Sequence, residues 1–97
     1  MFALVGVIEN IMPVRSKNLD YPYYEVVVTR TLGAKTTKNT FLAYRKEIAQ
    51  KTETLLIGDR VEISFVIYGG DYQGRIENKL FVSDYTILKR KKVKNTA

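Results

Sequence analysis

The 97-residue chain contains no cysteine, no histidine and no tryptophan. Without cysteine there is neither a disulfide nor thiol chemistry, which fits a reducing compartment and sets the expectation of a cytoplasmic protein. Without histidine the commonest general base and metal ligand is missing, and no nucleophile–base pair built on His or Cys can form. Carboxylate pairs remain, Asp59 with Glu62 and Asp71 with Glu77, but these positions read as a solvated turn and strand exteriors. No metal-ligand spacing occurs. The chain is expected not to be an enzyme and to need no cofactor and no metal. No stretch approaches the ~20 apolar residues of a membrane span. The apolar start, Phe2 to Ile8, has no basic flank and is interrupted by Glu9 and Asn10, so it reads as a strand rather than a leader, and no membrane partner is expected.

What is present is enough apolar material for one core, at 45% hydrophobic residues, in a length that suits one domain. The formal net charge is +6, and it is polarised along the chain. Between residues 15 and 46 seven basic residues face only Asp20 and Glu25, whereas between 47 and 88 four basic residues face seven acids. From Lys89 onward five basic residues occur with no acid. This polarity is expected of a protein with one side turned toward phosphates. The run Lys89-Arg90-Lys91-Lys92-Val93-Lys94 repels itself and is expected to be a disordered tail, 89–97, behind a folded domain, 1–88.

Hydrophobic periodicity predicts five strands and one helix. Phe2 to Arg15 has apolar residues at both parities, as suits a long strand that coils between two sheets, with Gly6 permitting a bend or bulge. Pro13 marks its end as an edge. After a loop over 16–22, Tyr23 to Arg30 alternates, with Tyr24, Val26 and Val28 inward. A turn is predicted over Thr31–Thr37, then a strand from Lys38 to Tyr44. Arg45 to Leu56 reads as a helix with the apolar stripe Ile48, Thr52, Leu55 and Leu56, capped by Gly58. From Arg60 the period is two, with Val61, Ile63, Phe65 and Ile67 inward. Gly69 to Gly74 reads as a long hairpin connection. The last strand, Arg75 to Leu88, points Leu80 and Val82 inward and needs a bulge near Asp84. The order β-β-β-α-β-β, all-β with one short helix, is that of a five-stranded OB barrel with the helix plugging one end.

Seven tyrosines and four phenylalanines are present. Tyr24, Phe41, Phe65 and Tyr85 read as core. Tyr21, Tyr23, Tyr44, Tyr68, Tyr72 and Phe81 fall where an OB domain displays side chains, and basic residues interleave with them: Arg15, Lys17, Arg30, Lys35, Lys38, Arg75 and Lys79. Aromatic platforms beside a cationic groove are the chemistry of single-strand binding, with bases stacking and cations tracking phosphates. These thirteen residues form the predicted site.

From Phe41 onward the chain resembles the second half of the small bacterial and phage single-stranded DNA-binding proteins. The likeness is carried by Phe41-Leu42-Ala43-Tyr44, by Lys46-Glu47-Ile48-Ala49, by Leu55-Leu56-Ile57-Gly58-Asp59-Arg60-Val61-Glu62-Ile63, and by Gly74-Arg75 entering the final strand. The resemblance implies a sequence-tolerant single-stranded DNA-binding protein of replication or recombination, in a bacterial or phage-host cytoplasm. It carries no oligomeric state, and a homo-oligomer, dimer or tetramer, is expected because a chain this short gains stability from association. An RNA-binding OB domain and a protein-binding OB adaptor are the alternatives. The chain departs from the family in ending on basic rather than acidic residues, and in offering tyrosine and phenylalanine where many members stack bases on tryptophan.

Overall fold

A computed structural model describes residues 1–91, with Tyr72 described by its backbone only. It contains β1 (Phe2–Val14), β2 (Tyr23–Leu32), β3 (Lys35–Ala43), α1 (Lys46–Thr52), β4 (Arg60–Tyr72) and β5 (Arg75–Lys89). The strands close into a barrel in the order β1-β2-β3-β5-β4. This is the OB arrangement expected from the element order.

β1 belongs to two ladders, as its double parity implies. Its first half pairs with β4 from Phe2 to Val7, and its second half with β2 from Val7 to Val14. The hand-over coincides with Gly6, where a Cβ would stand 2.5 Å from Val28 Cγ1 and 2.7 Å from the Thr29 carbonyl oxygen. Only a residue without a side chain lets the two strands approach this closely. A register shift between Ile8 and Asn10 adds the bulge that completes the bend. Pro13 lies in the half of β1 that pairs with β2 alone, opposite Tyr24, so one side of the strand is a free edge there.

Inward residues fill the barrel: Ile8, Val26, Val28, Phe41, Val61, Ile63, Phe65 and Val82 are all buried. The Phe41 and Phe65 rings meet edge-on at 5.0 Å. Ile48, Thr52 and Leu55 close one end, and Tyr85 packs against this core. Burial pushes the Tyr85 phenol up to about 12, against the pull of its hydrogen bond with the Thr52 hydroxyl at 2.8 Å.

Four expectations are corrected. The helix is shorter than its stripe suggested and ends at Thr52, because Thr54 and Leu55 turn back with i→i−3 bonds to Lys51 and Thr52. Leu56 is therefore exposed, and Gly58 (φ +98°) shapes the turn into β4 instead of capping the helix. Both hairpins have two-residue turns. Gly33-Ala34 and Gln73-Gly74 replace the long connections expected over 31–37 and 69–74, and positive φ at both Gln73 and Gly74 is the type I′ pattern that follows strand twist. Strand pairing thus runs through Gly69 and Gly70, whose composition alone reads as loop. Ile67 lies beyond the plugged barrel and is exposed. The bulge in β5 falls where it was expected, Ser64 pairing with Asp84 and Phe65 with Val82.

The last correction concerns Asp59, which is fully buried rather than in a solvated turn. Its carboxylate accepts from the Leu56 N–H at 2.9 Å, the Lys91 N–H at 2.9 Å and the Arg90 guanidinium at 3.1 Å. Burial opposes its charge, but the Lys91 and Leu56 N–H donors and Arg90 outweigh that and hold the carboxyl below the usual carboxylate range. The basic segment begins inside β5, of which Lys89 is the last residue, and Arg90 and Lys91 are anchored on Asp59. Residues 92–97, the rest of the expected tail, lie outside the described residues.

Candidate functional site

Outward positions of three strands, with one residue that follows a fourth, place aromatic rings in one row. Tyr23 at the start of β2 meets Tyr44, just past β3, at 5.1 Å between ring centroids. Tyr44 meets Phe81 of β5 edge-on at 6.3 Å, and Phe81 meets Tyr68 of β4 edge-on at 5.3 Å. The row crosses the seam at which the barrel closes, since Phe81 is the residue of β5 that pairs with Leu42 of β3 in parallel. Tyr21 donates its hydroxyl to the Tyr44 carbonyl oxygen at 2.9 Å, which ties the β1–β2 loop to the end of the row. Tyr44 and Tyr68 are exposed and Phe81 is half-buried, so the row is open to solvent.

Two hollows flank this row and share Tyr68 and Phe81. The larger, about 650 Å³, runs between Tyr44, Arg45, Ser64, Val66 and Ser83. The smaller, about 310 Å³, lies over the ladder pair Tyr68–Lys79 and reaches Gly69 and Gly70. The larger hollow is mainly apolar and aromatic, whereas the smaller also carries the Asp71 and Glu77 carboxylates beside Lys79. The Asp84 carboxylate, in the larger hollow, is bonded to Lys51 at 2.7 Å and to the Tyr85 N–H, and Lys51 first of all keeps its carboxyl below the ordinary range. A groove of this kind holds planar rings by stacking, and its edges carry Arg45 and Lys79 for an anionic backbone.

Six of the thirteen predicted residues therefore converge: Tyr21, Tyr23, Tyr44, Tyr68, Lys79 and Phe81. Arg15 and Lys17 are exposed in the β1–β2 loop. Tyr72 and Arg75 form the last ladder pair of the β4–β5 hairpin, at its tip. The remaining three stand elsewhere. Arg30 and Lys35 belong to the far end of the β2–β3 hairpin, and Lys38 is paired with Glu9 at 2.9 Å, beside the Thr29 hydroxyl. Those two side-chain bonds, Lys38 first, hold the Glu9 carboxyl below its usual value. Parity along a strand fixes which face a residue takes but not which end of the barrel it reaches, which is why these three were grouped with the rest.

Arg45 was missed. Periodicity makes it the first residue of a helix, whereas it is the extended N-cap position, with its guanidinium donating to the Ser83 carbonyl oxygen at 3.3 Å. Its place directly after Tyr44 was the available signal. Among the described residues no cluster of three or more Asp and Glu side chains is arranged to hold a metal ion, and no helix is long and apolar enough to cross a membrane.

No protein-family model matches the chain, and no curated protein does. Solved structures do. The mitochondrial single-stranded DNA-binding protein of S. cerevisiae superimposes in one crystal form with a TM-score of 0.74 at 18% identity, covering 93% of this chain and 96% of that one. A second form gives 0.66 at 20% identity, covering 93% and 95%. The small single-stranded DNA-binding protein of Streptomyces coelicolor gives 0.52 at 16% identity, covering 89% and 91%. Over nearly its whole length, then, the chain has the OB-type barrel of the single-stranded DNA-binding proteins.

Proposed function

We propose that the chain binds single-stranded DNA without sequence preference, as a non-enzymatic sheath in replication or recombination. The observation that carries this reading is the row Tyr23–Tyr44–Phe81–Tyr68 on the outside of the barrel. Rings at such spacing accept successive unstacked bases, and each stacked base is worth ~1–3 kcal/mol whatever its identity. Duplex bases are already stacked on each other and cannot enter such a row. Arg45 and Lys79 at its edges, with Arg15 and Lys17 in the adjoining loop, meet the phosphates, which makes affinity depend on salt. The solved structures of like fold are described as single-stranded DNA-binding proteins, which supports the same reading.

Fluorescence anisotropy with oligo-dT and with a matched duplex, at two salt concentrations, tests it. Tight binding to oligo-dT that weakens steeply with salt is expected. Tyr44→Ala and Phe81→Ala should each weaken binding by about 5- to 150-fold, equivalent to ~1–3 kcal/mol. Preference for duplex, or indifference to salt, would sink the proposal, and tighter binding of a matched RNA strand would move it to RNA. Light scattering on the same samples should give a dimer or tetramer, a reading supported by the exposed apolar side chains of Phe2, Ile67 and Leu88; a monomer mass would refute it.

A further inference from the structure

At the opposite end of the barrel from the aromatic row two hollows adjoin, sharing Val7 and Arg60. One, about 430 Å³, is bounded by Gly58, Lys89, Arg90 and Lys91. The other, about 380 Å³, continues along β1 to Arg30. Together they form a track with five cations and, among the described residues, no carboxylate along its walls. Of the carboxylates near it, Asp59 is paired with Arg90 and Glu9 with Lys38, and Glu62, the ladder partner of Val5, makes no ion pair among the described residues; Arg30, Arg60, Lys89 and Lys91 are left without an ion-pair partner there.

Three features show that the fold holds these cations in place. Arg60 and Lys89 are directly opposed across the β4–β5 ladder, a like-charge pairing that destabilises a sheet unless an anion joins it. Neither makes an ion pair among the described residues, and nor does Lys91. The buried Asp59 draws in the Lys91 N–H and the Arg90 guanidinium, while Arg90 also donates to the Thr54 carbonyl oxygen at 2.8 Å. Gly58 leaves room for the Lys91 stem to lie flat, since a Cβ there would stand 2.6 Å from its Cδ. Asp59 thus acts as a positioning residue for the basic track.

We infer that this track is a second nucleic-acid contact, one that takes the phosphate backbone and reads no bases. Among the described residues no aromatic side chain lines it, so the attraction there is to polyanion charge and not to base stacking. Tyr23 and Arg30 lie seven residues apart on β2, and Tyr68 and Arg60 eight apart on β4. At about 3.3 Å per residue the row and the track are therefore roughly 25 Å apart. A short strand occupies the row alone, whereas a long strand, or the duplex beside a single-stranded stretch, reaches the track as well. The inference rests on the reading of the chain as a nucleic-acid-binding protein.

The test compares the full chain with Arg60→Gln/Lys89→Gln and with Tyr44→Ala/Phe81→Ala. Each is titrated with dT strands of about 8 and about 40 nucleotides and with duplex, across salt. The glutamine variant should bind the short strand within about twofold of wild type and the long strand about tenfold more weakly. Its salt slope on the long strand should fall by about 1.4, the loss of two single-strand phosphate contacts. The alanine variant should keep the weak, salt-dependent duplex binding that the glutamine variant loses. Long-strand affinity and slope unchanged in the glutamine variant would overturn the inference. So would a glutamine variant that differs from wild type only in sedimentation with phosphatidylserine vesicles, which would assign the track to a membrane surface. Wild type that binds duplex through the track but no single strand would refute the proposed function and leave the track standing.

Discussion

At the scale of single residues, the chain uses its few buried polar groups as anchors. Tyr85 and Thr52 tie β5 to α1: the Thr52 hydroxyl donates to the Ile48 carbonyl at 2.7 Å and can accept from the Tyr85 hydroxyl. Because burial raises the folded-state phenol to about 12, while an unfolded tyrosine titrates near ~10, the unfolded state loses its proton first as pH rises. Stability from this group is complete below about pH 10 and declines through pH 12, by ~1.4 kcal/mol at pH 11. Tyr85→Phe removes a hydrogen bond worth ~1 kcal/mol at neutral pH and removes this alkaline loss with it. Urea melts should therefore show wild type the more stable at pH 7.5 and the two equal or reversed at pH 11. A stability gap that does not change with pH would refute the burial account.

At the scale of elements, β1 is the strand on which closure of the barrel depends. It serves β4 and β2 in turn, and the transfer requires Gly6 against Val28 and the Thr29 backbone. Gly6→Ala forces a methyl into space held partly by backbone, which cannot move aside as a flexible side chain does. A loss of about 2–3 kcal/mol is expected, read as a lower denaturant midpoint with the slope unchanged. Wild-type stability in this variant would mean that the two ladders are not locked together there. The double parity of β1 was legible in the sequence, and so was the β5 bulge, because both leave a trace in the alternation of apolar residues. The two-residue turns were not. Gly69, Gly70 and Asp71 read as loop by composition, yet the ladder with Ile76, Glu77 and Asn78 holds them extended, and cross-strand pairing is invisible to a local window.

At the scale of the whole molecule, the radius of gyration is 14.6 Å, above the ~13 Å of a compact domain this long. The two long hairpins extend past the plugged barrel. The aromatic row and the basic track lie at opposite ends, and the track unites Arg30 and Lys89 of the two basic segments with Arg60 of the acidic one. The basic end of β5 also completes the fold, through Arg90 and Lys91 on Asp59. A chain cut after Leu88 leaves a buried carboxylate with only the Leu56 N–H, at a cost of ~2–3 kcal/mol, whereas a chain cut after Lys91 keeps every donor. Thermal melts should place the first at least about 10 °C below the full chain and the second close to it. Equal melting of the two truncated chains would show that Asp59 does not need its clasp.

The sequence by itself determined the element order, the inward faces of the strands and the absence of histidine and cysteine chemistry, because alternation and composition are local properties that no packing can alter. It also singled out the outward aromatics. Only the tertiary structure decided which of them meet. Tyr23, Phe81 and Tyr68 come from three strands and Tyr44 follows a fourth, and the closure of the barrel at Leu42 and Phe81 is what sets them in one row. It decided as well that Arg30 and Lys38 stand apart from that row, and that Asp59, outwardly a turn residue, is the buried anchor of a basic track. Both outcomes depend on strand register and barrel closure, which arise from pairings between residues far apart in the chain.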